Sequence, residues 1–428
     1  MRKLNSGYIK GFFMLLSGSI IAQVITFAFA PIITRLFSPE QMGVFTLMLS
    51  VVNMFGAVIC ARYDMVIIST EKEKDVYSLM FLSLVITIIL SLIITFGFVI
   101  YVTHNIEIKS VLGIWSIILF PILIIQGVTN ILTAYNNRLK DYGIISRVNI
   151  IRVVVQGILQ VIFGLLHFGA LSLLVSYGIS ITMGIKRQAK KFRENFVMLN
   201  KVTLKSLRKT MIKYKDQPIY SVPAIFLNSA SYSILPFIIN TLYGATEVGY
   251  FSISFRLLGV PLALISTNAS RIYFQKASEE YNNSNNFKKT FQATTIILLI
   301  LAFPMTLVLY FFGQNIVVAI FGESWRGAVG FIKILSPMYG IRLVVSALSV
   351  TLIIVGKQKY DMFLQSTFFL STISSYFIAK FLNLSLDNFI LIISIMYSVN
   401  YFIYWVISYK FSKSKSNKVN ELTSRLEQ

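Results

Sequence analysis

Ile32-Ile33-Thr34-Arg35-Leu36-Phe37-Ser38-Pro39-Glu40-Gln41-Met42-Gly43-Val44-Phe45 returns later in the chain as Ile238-Ile239-Asn240-Thr241-Leu242-Tyr243-Gly244-Ala245-Thr246-Glu247-Val248-Gly249-Tyr250-Phe251. Apolar residues align cheaply by chance. Gly43 and Gly249, however, each precede an aromatic position at the same place after a short turn, so the pair is taken as an internal repeat. A weaker echo pairs Pro121 with Pro337. Each is followed by a basic, tyrosine-bearing loop, Arg138 to Tyr142 and Lys357 to Asp361.

Working outward, both copies are embedded in long apolar runs. The chain has 428 residues, of which 56% are hydrophobic and 13% charged, and its mean hydropathy is +0.72. These values lie outside soluble composition and indicate a polytopic membrane protein. A span needs roughly 20 apolar residues to cross about 30 Å of hydrocarbon. On that basis the sequence predicts twelve helices, at 11–33, 42–62, 78–102, 111–135, 148–166, 169–185, 219–243, 248–270, 291–312, 328–354, 362–382 and 389–409. The expected fold class is all-α integral membrane. Each repeat copy sits at the turn between the first and second helix of a half. An even number of spans per half gives both halves one orientation, so two parallel six-helix bundles are expected, with a site between them near the midplane.

The expected division is an N-terminal bundle at 1–185, a basic connection at 186–218, a C-terminal bundle at 219–409 and a polar tail at 410–428. The connection holds Lys186, Arg187, Lys190, Lys191, Arg193, Lys201, Lys205, Arg208, Lys209, Lys213 and Lys215 against Glu194 and Asp216. Leu204, Leu207 and Met211 fall at helical spacing among these lysines, a pattern suited to an amphipathic helix on a membrane surface with anionic lipids. With the N-terminus inside, thirty Lys or Arg collect on the cytoplasmic side, and only Arg35, Lys109, Arg326 and Lys380 lie outside. Both termini are therefore expected in the cytoplasm. Since the basic residues serve every inner loop, they do not form a nucleic-acid face. Met1-Arg2-Lys3 leads into an apolar segment with no small-residue cleavage pattern, so that segment is expected to be the first span.

Catalytic and cofactor chemistry is poorly represented. Cys60 is the one cysteine and His104 and His167 the only histidines, too few for a zinc site. Gly356-Lys357 lacks the upstream glycine and the following hydroxyl of an ATP-binding loop. No metal, cofactor or enzymatic reaction is expected.

Leu36-Phe37-Ser38-Pro39-Glu40-Gln41-Met42-Gly43 after the first span, Arg62-Tyr63-Asp64 at the end of the second, and twelve spans in two halves resemble the polysaccharide flippases that move O-antigen or capsule repeat units. These belong to the superfamily that also holds the multidrug extruders and the lipid II flippase. The resemblance covers essentially the whole chain. It implies an alternating-access transporter of the bacterial cytoplasmic membrane. The cargo it implies is an undecaprenyl-pyrophosphate-linked oligosaccharide, carried from inner to outer leaflet and passed to polysaccharide polymerase machinery.

Charges within spans cost about 2.5–3.5 kcal/mol at the bilayer centre, so those present tend to face a cavity and bear function. The candidates are Arg256, Arg342, Arg62, Arg152 and Lys333 for an anionic headgroup, and Asp64 for coupling to H+ or Na+. Arg256 and Arg342 lie deepest, and Pro337 is expected to kink its helix just before Arg342. A pyrophosphate suits guanidinium, which offers planar paired donors and keeps its charge. Arg152 and Lys333 also fit snorkelling near span ends. The alternatives are a drug or cation antiporter, which calls for an acidic or neutral cavity, and a membrane polysaccharide polymerase or ligase, which calls for a large outer loop. The longest outer loop expected here runs only from Gly313 to Gly327.

Overall fold

A computed structural model describes residues 6–70, 73–194 and 203–413. Expectations about Arg2, Lys3, Lys72, Lys201 and the tail from 414 onward fall outside that set. The protein is 90% helical with no strand among the described residues, and eleven helices are long and apolar enough to cross a membrane. It is an all-α, multi-pass membrane protein.

In chain order the helices are α1 (Ser6–Leu36), α2 (Pro39–Gly56), α3 (Tyr63–Ser69), α4 (Glu73–His104), α5 (Ile106–Leu112), α6 (Leu119–Arg138), α7 (Tyr142–Leu165), α8 (Gly169–Thr182), α9 (Ile185–Gln188), α10 (Lys190–Glu194), α11 (Leu204–Lys213), α12 (Val222–Ser233), α13 (Leu235–Tyr243), α14 (Ala245–Ser284), α15 (Lys288–Phe321), α16 (Ala328–Leu348), α17 (Thr351–Ile354), α18 (Gln358–Phe381) and α19 (Leu386–Ser412). The chain divides into two compact units, Met1–Ser252 with Val318–Trp325, and Ile253–Val317 with Arg326–Gln428.

Two expectations need correction. The second span, expected at 42–62, is not continuous. It stops at Gly56, turns, and restarts as α3 with Ala61 and Arg62 at φ of 46° and 64°. Its apolar sequence conceals the break, because hydropathy does not register backbone sign. The outer loop expected from Gly313 to Gly327 is instead helical, since α15 continues to Phe321 and a short 3-10 turn covers Glu323–Trp325. The Glu and Arg residues that mark it as polar are carried on the turn that follows.

In the first unit the repeat proves to be a contact. α2 starts at Pro39 and α14 at Ala245, the aligned positions of the two copies. A Cβ on Gly43 would lie 1.9 Å from the Ala245 carbonyl oxygen, and one on Gly249 would lie 1.9 Å from that of Pro39. The two helix starts thus meet reciprocally, backbone against backbone, as expected at a two-fold contact between like elements. The caps differ. Ser38 and Gln41 form a capping box on α2, whereas Gly244 has no side chain and φ 93°, and the Glu107 carboxylate accepts from Ala245 N at 3.4 Å instead. Within α4, Ser83, Thr87, Ser91 and Thr95 form a buried stripe at a spacing of four. Such small hydroxyl residues let membrane helices approach closely. Thr87 lies directly against Gly127 of α6.

The second unit packs Tyr273, Phe287, Phe291, Leu298, Leu343 and Leu348 into one core. Three of its buried hydroxyl groups pair closely. Tyr273 bonds Thr351 at 2.6 Å, Thr372 bonds Tyr397 at 2.6 Å, and Tyr404 donates to Asp361 at 2.7 Å. α16 runs through Pro337 unbroken. Proline leaves the carbonyl four residues earlier without its donor, and the Ser336 hydroxyl takes that role for Lys333 O at 3.3 Å.

Candidate functional site

Arg256 stands on α14 between Phe255 and the buried Leu257 and Leu258. It is itself largely covered, and among the described residues its side chain makes no hydrogen bond or ion pair. Arg342, on α16 in the same unit, lies in an aromatic cradle. Its guanidinium carbon is 5.2 Å from the centre of the Tyr339 ring and 5.9 Å from that of Phe255. The two rings meet edge to face at 6.1 Å and 89°. Cation–π contact of this kind is worth about 0.5–2 kcal/mol and fixes the orientation of the planar head. Phe255 therefore links the neighbourhoods of Arg256 and Arg342. Sequence reasoning named neither aromatic residue. The available signal was the three-residue step from Tyr339 to Arg342 on one helix face. Lys333, one end of α16, is exposed with its ammonium 5.4 Å from the Tyr310 ring centre.

The remaining candidates belong to the first unit. Arg62 occupies the left-handed position that starts α3, and its Nε is buried without a hydrogen-bond partner among the described residues. Asp64 follows on the first turn of α3, 5% exposed. Its Oδ1 also lacks a partner among the described residues, and Arg62 is the counter-charge acting on it. The break in the second span thus places a cation and an acid together on a strained turn, an arrangement typical of working sites.

Arg152 is differently used. Its Nε donates to Met183 O at 3.0 Å and its terminal nitrogen to Thr129 Oγ1 at 3.2 Å, tying α7 to α6 and to the end of α8. Removing it leaves a carbonyl and a hydroxyl unpaired. Arg152→Ala is expected to lower stability by about 1–3 kcal/mol, read as a fall in the thermal unfolding midpoint of the purified protein. An unchanged midpoint would show that these bonds contribute nothing.

The basic connection contributes a docked helix. α11 begins with a Thr203–Ser206 capping box and rests on the first unit through Tyr214 with Thr70 at 2.9 Å and Lys213 with Asp75 at 2.6 Å. The Asp75 carboxylate, and Tyr214 beside it, hold the Lys213 ammonium well above its usual range. A raised lysine keeps its charge through the ordinary lysine range, so on the alkaline side this contact is lost only as pH climbs beyond that range. Leu204, Met211 and Ile212 remain exposed on α11 beside its lysines, as an interfacial helix requires.

Comparison with known proteins fits this architecture. The teichuronic acid biosynthesis protein TuaB of Bacillus subtilis (strain 168) is 23% identical over 128 residues, which is 30% of this chain and 26% of that protein. Among solved structures, an inward-facing multidrug resistance MATE family transporter of the MOP superfamily superposes with a TM-score of 0.73 at 15% identity, over 92% of this chain and 96% of the other. The lipid II flippase MurJ, in an inward closed conformation, superposes at 0.68 and 14% identity, over 93% and 87%. At these identities the likeness is one of fold, and both share this chain's helical arrangement. Residues 32–330, from the first repeat copy to the start of α16, match the family described as polysaccharide biosynthesis protein, and the chain belongs to that family.

Proposed function

We propose that this protein is a flippase, translocating an undecaprenyl-pyrophosphate-linked oligosaccharide from the inner to the outer leaflet of a bacterial cytoplasmic membrane by alternating access, without catalysing a reaction. The observation that carries the reading is Arg256, a guanidinium inside a membrane helix with no protein partner among the described residues, close in sequence to the Phe255 that cradles Arg342. A buried cation kept without a counter-charge is costly unless an anion arrives to meet it. Arg342 and Lys333 add cations in the same unit as Arg256, Arg62 adds one in the first unit, where Arg152 is tied to Met183 and Thr129, and the distribution of Lys and Arg supports a cytoplasmic location for both termini.

Asp64 is proposed as the site where H+ or Na+ couples to movement, because its unpartnered oxygen lies beside Arg62. The membrane potential assists as well. An anionic headgroup leaving a negative interior gains about 2.3 kcal/mol per charge per 100 mV.

The test is deletion of the protein in its source organism, followed by leaflet-resolved analysis of lipid-linked saccharides. The expected result is one lipid-linked saccharide accumulating on the inner leaflet, cleared by the intact protein. If no such lipid accumulates and cells instead become sensitive to cationic drugs, the antiporter reading replaces this one.

A further inference from the structure

The first unit contains an apolar trench of about 850 Å3 that none of the candidate cations occupies. It is lined by α2 and the turn after it, by α4, and by α12 and α13, with Phe55, Ile59, Leu90, Gly97, Phe226 and Phe237 among its walls. The lining residues are apolar with one exception, Tyr101, whose hydroxyl accepts from Asn240 Nδ2 at 3.0 Å. A sugar would find no hydrogen-bonding partner there beyond that one hydroxyl, and burying its own hydroxyls unpaired is prohibitive.

The trench is elongated. On α4 it extends from Ile86 to Tyr101, which at 1.5 Å per residue is roughly 22 Å, a large part of a hydrocarbon core. Ile93 in its wall is 60% exposed, so the trench lies open along that side. Its two ends differ in charge. One is closed by Tyr101 and Phe237. At the other stand Ala61 and Pro218, and Arg62 follows directly on Ala61 with its buried Nε unpartnered among the described residues. Lys215, Asp216 and Asp64 are the other charges near that end in sequence.

We propose that this trench seats the hydrocarbon chain of a polyprenyl phosphate, with the phosphate at Arg62, so that the lipid carrier's tail stays in an apolar groove while the saccharide it bears lies outside the trench. The proposal rests on the flippase reading. The occupant follows from the shape and the charge. A polyprenyl phosphate places a single chain on a single phosphate, matching one trench that ends beside one arginine, whereas a phospholipid brings two chains on a glycerol.

Gly97 provides the test. It lines the trench, and a Cβ built on it meets nothing within 4 Å. Gly97→Leu therefore adds bulk to the groove wall from an unobstructed Cβ, and leucine is the better helix former. The purified full-length protein, Gly97→Leu and Arg62→Gln are titrated with undecaprenyl phosphate and, separately, with uncharged undecaprenol, using native mass spectrometry. Gly97→Leu is expected to weaken both ligands by about tenfold or more, through lost chain burial, at an unlowered melting temperature. Arg62→Gln is expected to weaken undecaprenyl phosphate by about tenfold and leave undecaprenol unchanged, because only the phosphate needs the guanidinium. Wild-type binding by Gly97→Leu, or displacement of undecaprenyl phosphate by an equal amount of phosphatidylglycerol, overturns the proposal.

Saccharide transfer between leaflets is measured on the same proteins. Transfer by the wild type together with unaltered binding by Gly97→Leu rejects the trench and leaves the flippase reading standing. Gly97-sensitive binding without any transfer supports the trench as a polyprenyl site and rejects the flippase reading.

Discussion

Gly43→Ala and Gly249→Ala are each expected to destabilise the protein by about 3 kcal/mol or more, at or beyond the upper end of ordinary overpacking. The new methyl group would have to occupy a point 1.9 Å from a carbonyl oxygen of the opposing helix start, Ala245 for the first variant and Pro39 for the second. The obstacle is backbone, so no rotamer change relieves it, and α2 and α14 must move apart. Gly97→Ala is the control. Its Cβ meets nothing within 4 Å, and it replaces a poor helix former inside α4. It should therefore stabilise by up to about 1 kcal/mol. The same chemical change thus carries opposite signs at different sites, and thermal unfolding of the three purified variants reads both. Gly43→Ala melting with the wild type would mean that the reciprocal contact does not form. Because both substitutions strain one contact, the double variant is expected to lose less than the two single losses together.

That contact also shows what sequence could and could not reveal. The repeat was legible because glycine and its aromatic neighbour stand at fixed offsets in both copies. What the repeat does was not legible, since alignment gives equivalence and not proximity. Span positions followed from hydropathy because a bilayer imposes a minimum apolar length, and α7 and α8 are joined through only Leu166, His167 and Phe168. The broken second span was invisible for the converse reason. Ala61 and Arg62 take left-handed backbone angles that neither residue type advertises. Among the candidate charges, sequence found the cations but not their surroundings. Arg152 and Arg256 look alike as arginines within apolar runs, yet one donates to Met183 and Thr129 while the other makes no bond among the described residues. The trench of the first unit was hidden too, because its walls come from segments far apart in the chain, each of which looks like ordinary apolar span.

The difference between those two arginines sets up the sharpest functional expectation. Arg256→Leu should slow saccharide transfer by roughly ten- to a hundred-fold while leaving the protein as stable as the wild type or more so. A charged side chain costs about 2.5–3.5 kcal/mol at the centre of a membrane helix. Arg256 recovers none of that from a partner among the described residues, and leucine removes the charge from the apolar run Phe255–Leu258. A structural arginine behaves in the opposite way, as Arg152→Ala should, because its loss strands the groups it had bonded. For transport, a charge-assisted hydrogen bond to phosphate is worth about 1.5–3 kcal/mol, which converts to roughly ten- to a hundred-fold in rate if it is made on the way across. Arg256→Lys keeps the charge but loses the planar paired donors, so it should transfer at an intermediate rate. Both quantities are measured on one preparation, the unfolding midpoint in detergent and the transfer of lipid-linked saccharide after reconstitution into vesicles. If Arg256→Leu melts well below the wild type, the arginine is a structural tie and the cationic reading fails. If it melts normally and transfers normally, the headgroup does not pass Arg256, and Arg342 in its cradle of Tyr339 and Phe255 becomes the residue to replace next.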